Sequence, residues 1–295
     1  MRFGIMEMQL DRLIPRENNG ENIVEQILNF DRSHLVSGLV QAGFNLVELG
    51  GDLGLFFPNA YGSENIQRLL NLKKDHALTF TVHLPLWSVE PSTPLESVRL
   101  GSVDAIMDVI DAVQPLNPEA YVLHATGALA AEFYRMKLPP VTKELVLKQF
   151  QGSAINSIKL LLEETGLSPR KLAIETIEFP LNLTLEIAEL LDLSICFDTG
   201  HVLAGFSGPM AFEEALDACL SRLAEVHLHD SPNFINTGKL GYGKDHQPLG
   251  SGDLDIQNFF KKLIARNFDG PIIFELTIAQ AQASMNYLQK HGGLA

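Results

Sequence analysis

Short apolar runs rich in β-branched and aromatic residues recur along the chain, and most are followed by a longer stretch whose apolar positions return every three or four residues. The first pattern marks buried strands and the second amphipathic helices. Strands are predicted at 2–6, 45–49, 79–82, 120–123, 171–174, 194–197, 223–228 and 271–274. Helices are predicted at about 32–42, 64–76, 142–165, 184–191, 210–220, 256–267 and 278–290. Thr93-Pro94-Leu95-Glu96 reads as a capping box with proline at the first helical position, and Gly166 as the glycine that ends a helix.

Eight strands alternating with helices, undivided by any Pro-, Gly- or Ser-rich linker, predict an α/β chain forming a single (β/α)8 TIM barrel over residues 1–295. A doubly wound open sheet is the competing arrangement. It would call for a glycine-rich phosphate loop after the first strand, where Gly4 is instead followed by Ile-Met-Glu-Met. The long predicted loops, 7–30, 50–62, 84–92, 125–141 and 229–254, nearly all follow strands and so gather on the face where barrels carry their chemistry.

Composition narrows the class further. With 46% hydrophobic and 20% charged residues, the 295-residue chain is neither disordered nor low-complexity. Two cysteines, Cys196 and Cys219, are too few for a disulfide scaffold. The N-terminus has no apolar leader core and no apolar run approaches the roughly 18 residues of a membrane span, so a cytoplasmic protein without a membrane partner is expected. The net charge of −14, with basic runs no longer than Lys73-Lys74 and Lys261-Lys262, disfavours a broad duplex nucleic-acid footprint. It leaves a small-molecule substrate as the expected partner.

The chemistry sits at the strand ends: Glu7, Glu48, His83, His124, Glu175, Asp198, His227 with His229 and Asp230, and Glu275. Taken singly, each is as well explained as a hydrogen-bonded rim residue. Six of the nine histidines, however, fall at strand ends or in the loops beyond: His83, His124, His201, His227, His229 and His246. A closed barrel brings such ends to one rim, and imidazole with carboxylate suits zinc, manganese or iron.

Ala-Ile-Glu175, Cys-Phe-Asp198-Thr-Gly-His201, Val-His227-Leu-His-Asp230 with Leu249-Gly-Ser-Gly-Asp253, and Ile-Phe-Glu275 resemble the successive blocks of the xylose isomerase-like TIM-barrel superfamily, in order along the chain. That superfamily joins sugar isomerases and epimerases to endonuclease IV-type enzymes. For the isomerase branch, the resemblance implies one divalent ion held by Glu175, Asp198, His227 and Glu275, with Glu175 and Glu275 as acid and base. For the endonuclease branch it implies two or three zinc ions. Glu175 would bridge His83 and His124 on one side to Asp198, His227 and Glu275 on the other, and His201 with His246 would serve a third ion. At the family's aspartate place in that third group stands Lys244, with Asp245 one position late.

The leading expectation is a divalent-metal-dependent phosphodiester hydrolase, with zinc favoured and manganese the alternative. Its substrate would be small or non-duplex, a cobamide nucleotide loop being the narrowest example in the superfamily. The alternatives are a metal-dependent sugar or sugar-phosphate isomerase or epimerase, and an idle barrel that only binds a ligand. Glu48, Trp87, His229, Asp230 and Asp245 are expected to touch substrate or to orient the ligands. Asp253 is expected to cap the helix that follows it.

Overall fold

The computed structural model describes residues 1–7 and 23–292; most of the first predicted loop lies outside them. Eight parallel strands close on themselves in sequence order. They are β1 (Arg2–Met6), β2 (Leu46–Gly50), β3 (Thr79–His83), β4 (Tyr121–Leu123), β5 (Leu172–Glu175), β6 (Ser194–Asp198), β7 (Leu223–His227) and β8 (Pro271–Phe274). β1 pairs with β2 on one side and β8 on the other, which closes the barrel.

Both faces of these strands are buried, one by the helices outside and one by the barrel interior, which is why they read as short unbroken apolar runs. The main core lies between strands and helices and includes Val47, Phe80, Leu123, Ile174, Phe197, Val226 and Phe274 from the strands and Leu39, Leu69, Ile106, Ile158, Ile187, Leu216 and Phe260 from the helices. Fully burying a Leu, Ile or Phe side chain contributes about 1.5–3 kcal/mol, so this layer carries the fold.

Helix boundaries follow local chemistry where that chemistry is local. Asp31 accepts from the backbone N–H groups of Ser33 and His34 at the start of Arg32–Gln41, and Gly166 ends Pro140–Thr165 at φ +63°. Other expectations fail, and short helices Ile23–Leu28, Leu53–Phe56 and Phe234–Thr237 stand inside predicted loops. The helix Glu96–Val113 begins without a side-chain cap, because the Thr93 hydroxyl is taken by Leu95 N–H at 3.3 Å. A reciprocal capping box forms instead at Thr277 and Gln280. Asp255, not Asp253, caps Ile256–Ala265, while Asp253 accepts from Asn233 N–H at 2.8 Å. A helix also stands within the predicted 125–141 loop, Ala128–Arg135. Its first turn is held by the distant Glu90, which accepts from Leu129 N–H at 2.9 Å, so no adjacent residue announces it.

Glu7 leaves the rim cluster altogether. Its fully buried carboxylate is forked by Arg32, whose Nε lies 3.0 and 3.1 Å from its two oxygens, and it accepts from Gly50 N–H at 2.8 Å. Tyr61 donates to Gly50 O at 2.5 Å, so the pair ties the ends of β1 and β2 to the helix Arg32–Gln41. This strand end serves the scaffold.

Candidate metal centre

Parallel register sets the level of the rim. Asp198 is opposite His227, and His83, Glu175, Asp198 and His227 each stand last in their strands, with His124 and Glu275 just past the ends of β4 and β8, so ligand-type side chains leave at one rim. Among the described residues they gather into four groups whose offered atoms lie within 4.8 Å of one another: His83, His124 and Glu175; Glu175, Asp198, His227 and Glu275; His201, His229 and His246; and, deeper in the barrel, Glu48, Glu225 and His227. Glu175 belongs to two of them. Its Oε2 faces His83 Nε2 at 3.1 Å and His124 Nε2 at 3.0 Å, while its Oε1 faces His201 Nδ1 at 3.1 Å and His227 Nδ1 at 3.6 Å.

The histidines are held from behind. His83 Nδ1–H donates to Leu84 O at 2.9 Å, and His229 Nδ1–H donates to the carbonyl of Asp245. A carbonyl can only accept, so each ring presents its other nitrogen, Nε2, inward as a lone pair or as a second N–H. His227 turns Nε2 toward Glu48 at 3.2 Å, which leaves its buried Nδ1 facing the carboxylates without a hydrogen bond. His201 Nδ1 is likewise buried and out of line for a hydrogen bond. Outer acceptors that fix the tautomer, with inner nitrogens converging on carboxylate oxygen, are the donor set a divalent cation requires. The residues fit such an ion.

For the polypeptide alone, the same convergence traps protons. Burial opposes charge on His83, but the hydrogen bond and charge of Glu175 win and lift it to about 9. His201 is opposed by burial and lifted to about 9 by Asp198 and Glu175. His246, also working against burial, reaches about 11 through Asp245 and Glu275. Burial would raise Glu175, yet the charges of His124 and His227 hold it well below the usual carboxylate range. Glu275 is held low in the same way, against burial, chiefly by His227.

A model of the xylose isomerase-like TIM barrel matches residues 37–291. The chain belongs to this family. It is 26% identical to the uncharacterized protein MJ1311 of Methanocaldococcus jannaschii over 219 residues, covering 72% of this chain and 69% of that protein. A second uncharacterized protein of the same organism, MJ1614, is 26% identical over 223 residues, covering 74% and 76%. Among solved structures, a D-tagatose 3-epimerase-like protein superposes with a TM-score of 0.72 at 20% identity, covering 99% of this chain and 97% of that one. The 3-keto-D-glucoside 4-epimerase YcjR of E. coli gives a TM-score of 0.68 at 17% identity, covering 98% and 99%. The chain is therefore an enzyme of the xylose isomerase-like superfamily, and no helix among its described residues is long and apolar enough to cross a membrane.

Within this barrel the remaining expected residues take distinct places. Glu48 is fully buried, 3.2 Å from His227 Nε2 and 3.3 Å from Thr81 Oγ, and does not line the cavity. His229 joins His201 and His246 as a member of the third group. Asp245 borders that group, with Oδ2 2.8 Å from His246 Nδ1 and 3.8 Å from His201 Nε2. Asp230 is spent on the backbone, accepting from the N–H groups of Ser231, Gly250, Gly252 and Leu254 at 2.9 to 3.0 Å. It builds the Leu249-Gly-Ser-Gly-Asp253 turn, where Gly250 has φ +85° and a Cβ at Gly252 would overlap Ser231 O. Trp87 does line the cavity.

Two positions in or packed against these groups carried no signal strong enough to single them out. Glu225 lies within β7, fully buried, and accepts from Thr81 Oγ at 2.9 Å; β3 and β7 are not neighbours, so this contact crosses the barrel interior. Burial, then the nearby charge of Glu48, pushes its carboxyl well up. The clue was a lone carboxylate inside a predicted buried strand. Gly200 is the other. A Cβ there would overlap His229 Nδ1 and the Asp245 carbonyl, so the glycine of Asp-Thr-Gly-His makes room for the His229 imidazole.

Proposed function

We propose that the protein is a divalent-metal-dependent hydrolase of a phosphodiester, with a substrate that is small or non-duplex. The observation that carries this reading is the double engagement of Glu175: two imidazoles converge on Oε2 while Oε1 faces the other carboxylate-rich group. A carboxylate so placed would be available to ions held by both groups. Two divalent ions on either side of it would activate water and stabilise the attacking and leaving oxygens of an in-line displacement at phosphorus. The chain's own part is to hold them: His83 and His124 on one side, Asp198, His227 and Glu275 on the other, with Glu48 fixing His227 from behind. Imidazole-rich groups favour zinc, with manganese the alternative for the more carboxylate-rich one.

The test is hydrolysis of bis(p-nitrophenyl) phosphate by protein reconstituted with zinc or manganese. We expect metal-dependent turnover that Glu175→Gln abolishes, together with loss of metal; no turnover with either metal would overturn the reading.

A second reading, a metal-dependent sugar or sugar-phosphate isomerase or epimerase, is supported by a separate observation. Glu175, Asp198, His227 and Glu275 form a complete four-residue group by themselves. The structurally similar proteins bear the names of sugar epimerases, and these comparisons favour this reading over the first. Here Glu175 and Glu275 would pass a proton on and off a carbon of the substrate. Incorporation of solvent deuterium into a ketose, without phosphodiester cleavage, would establish this reading in place of the first.

A further inference from the structure

The cavity over the metal-holding groups is about 630 Å³, inside the roughly 300–1,000 Å³ range of pockets that enclose a ligand of drug or nucleotide size. Its walls are unlike each other. His83, His124, Glu175, His201, His246 and Glu275 form the polar wall, while Met6, Leu86, Trp87 and Leu276 supply apolar surface. Among the described lining residues, the other polar side chains are largely engaged. Asp52 accepts from Leu86 N–H at 3.0 Å and Trp87 N–H at 3.3 Å, and Gln280 Oε1 accepts from Thr277 N–H at 3.1 Å and Thr277 Oγ at 2.9 Å, which leaves the Gln280 amide N–H groups as donors to the cavity. A polyhydroxylated substrate would ask for several free donors and acceptors beyond the metal groups. The lining offers that amide and an indole.

Trp87 is held for display. Asp52 is 6% exposed and pins the backbone of the Leu86-Trp87 segment, and Phe56 from the neighbouring rim loop meets the indole at 5.9 Å between centroids and 84° between planes. The indole is nevertheless 54% exposed while lining the cavity. An aromatic that merely anchored its loop would be packed under it. A braced, half-solvated ring facing a cavity gains most from a flat partner that takes its place against water.

We propose that the substrate carries a planar aromatic ring beside its reacting group, and that this ring stacks on Trp87 while the reacting group meets the metal-holding wall. The inference rests on the proposed site being the substrate site, and it names the substrate class for that site: a phosphoester bearing a heteroaromatic ring, as in a nucleotide, in preference to a bare sugar phosphate.

Trp87 is the only tryptophan in the chain, so intrinsic fluorescence reports on it alone. The zinc-loaded protein is titrated with AMP, ribose 5-phosphate, adenosine and ribose, with calorimetry supplying affinities for the variants. We expect AMP to quench Trp87 and bind at least about tenfold tighter than ribose 5-phosphate, and adenosine to exceed ribose similarly. Trp87→Ala is expected to erase both preferences with metal content unchanged, and Trp87→Phe to keep most of them. Equal affinities within each pair, or preferences that survive Trp87→Ala, overturn the proposal. The adenosine and ribose pair carries no phosphate, so the ring inference can fail while bis(p-nitrophenyl) phosphate is still cleaved, and can stand if it is not.

Discussion

Glu175 and Glu7 show how much a strand-end carboxylate can vary in purpose. Both follow apolar runs, but Glu175 meets imidazoles and Glu7 meets a guanidinium. Replacing Arg32 by Ala strands the Glu7 carboxylate in the core, and we expect a loss of about 3–5 kcal/mol of stability, read as a lowered denaturation midpoint. Replacing both by well-packed apolar residues is expected to cost much less. Glu48 acts through His227, so Glu48→Ala is expected to weaken metal binding about 10- to 100-fold in a chelator competition while leaving the circular dichroism spectrum intact. Gly200→Ala tests the third group: the added methyl displaces His229, and we expect loss of the ion bound with His201 and His246 alone. Retention of the full metal complement in Gly200→Ala would remove His229 from the ligand set.

At the scale of elements, the strands were legible because each is a short apolar run ending in a polar residue, and all eight fall within two residues of their expected bounds at either end. The ligand-type residues were legible for the same reason: a parallel barrel turns strand-end positions into neighbours. What escaped depends on partners far away in sequence. The helix Ala128–Arg135 takes its cap from Glu90, and Asp230 spends its carboxylate on four backbone donors in and before the turn near 250. Glu225 reveals itself only when β3 and β7 face each other across the barrel. Asp230→Ala removes the acceptor that shapes the Gly250–Leu254 turn, and we expect faster amide exchange over residues 247–254 with the strands unaffected, measured by hydrogen–deuterium exchange.

For the whole molecule, a formal charge of −14 accompanies a cluster of imidazoles and carboxylates that could hold cations. In the metal-free protein, His83 and His201 near 9 and His246 near 11 are raised above the ordinary histidine value. Their protonated forms therefore stabilise the fold fully below the unfolded pKa of about 6.5 and lose that contribution as pH rises through the folded values. We expect the melting temperature of metal-free protein to fall between pH 7 and pH 10, and that of the zinc-loaded protein to change far less, because the ions replace the protons. Metal uptake at neutral pH is correspondingly expected to release protons, seen as a buffer-dependent enthalpy in calorimetry. Divalent ions would also turn the rim toward positive potential on an acidic protein, which reconciles its net charge with an anionic substrate while still disfavouring a broad duplex footprint.

If the protein is the proposed two-metal hydrolase, Glu175 is shared between two cations. Anomalous diffraction from crystals of the zinc-loaded protein tests it most directly. We expect at least two peaks per chain, about 3.5–4 Å apart and on either side of the Glu175 carboxylate, with the peak beside His83 lost in His124→Ala. A single peak among Glu175, Asp198, His227 and Glu275, unchanged in His124→Ala, would contradict it.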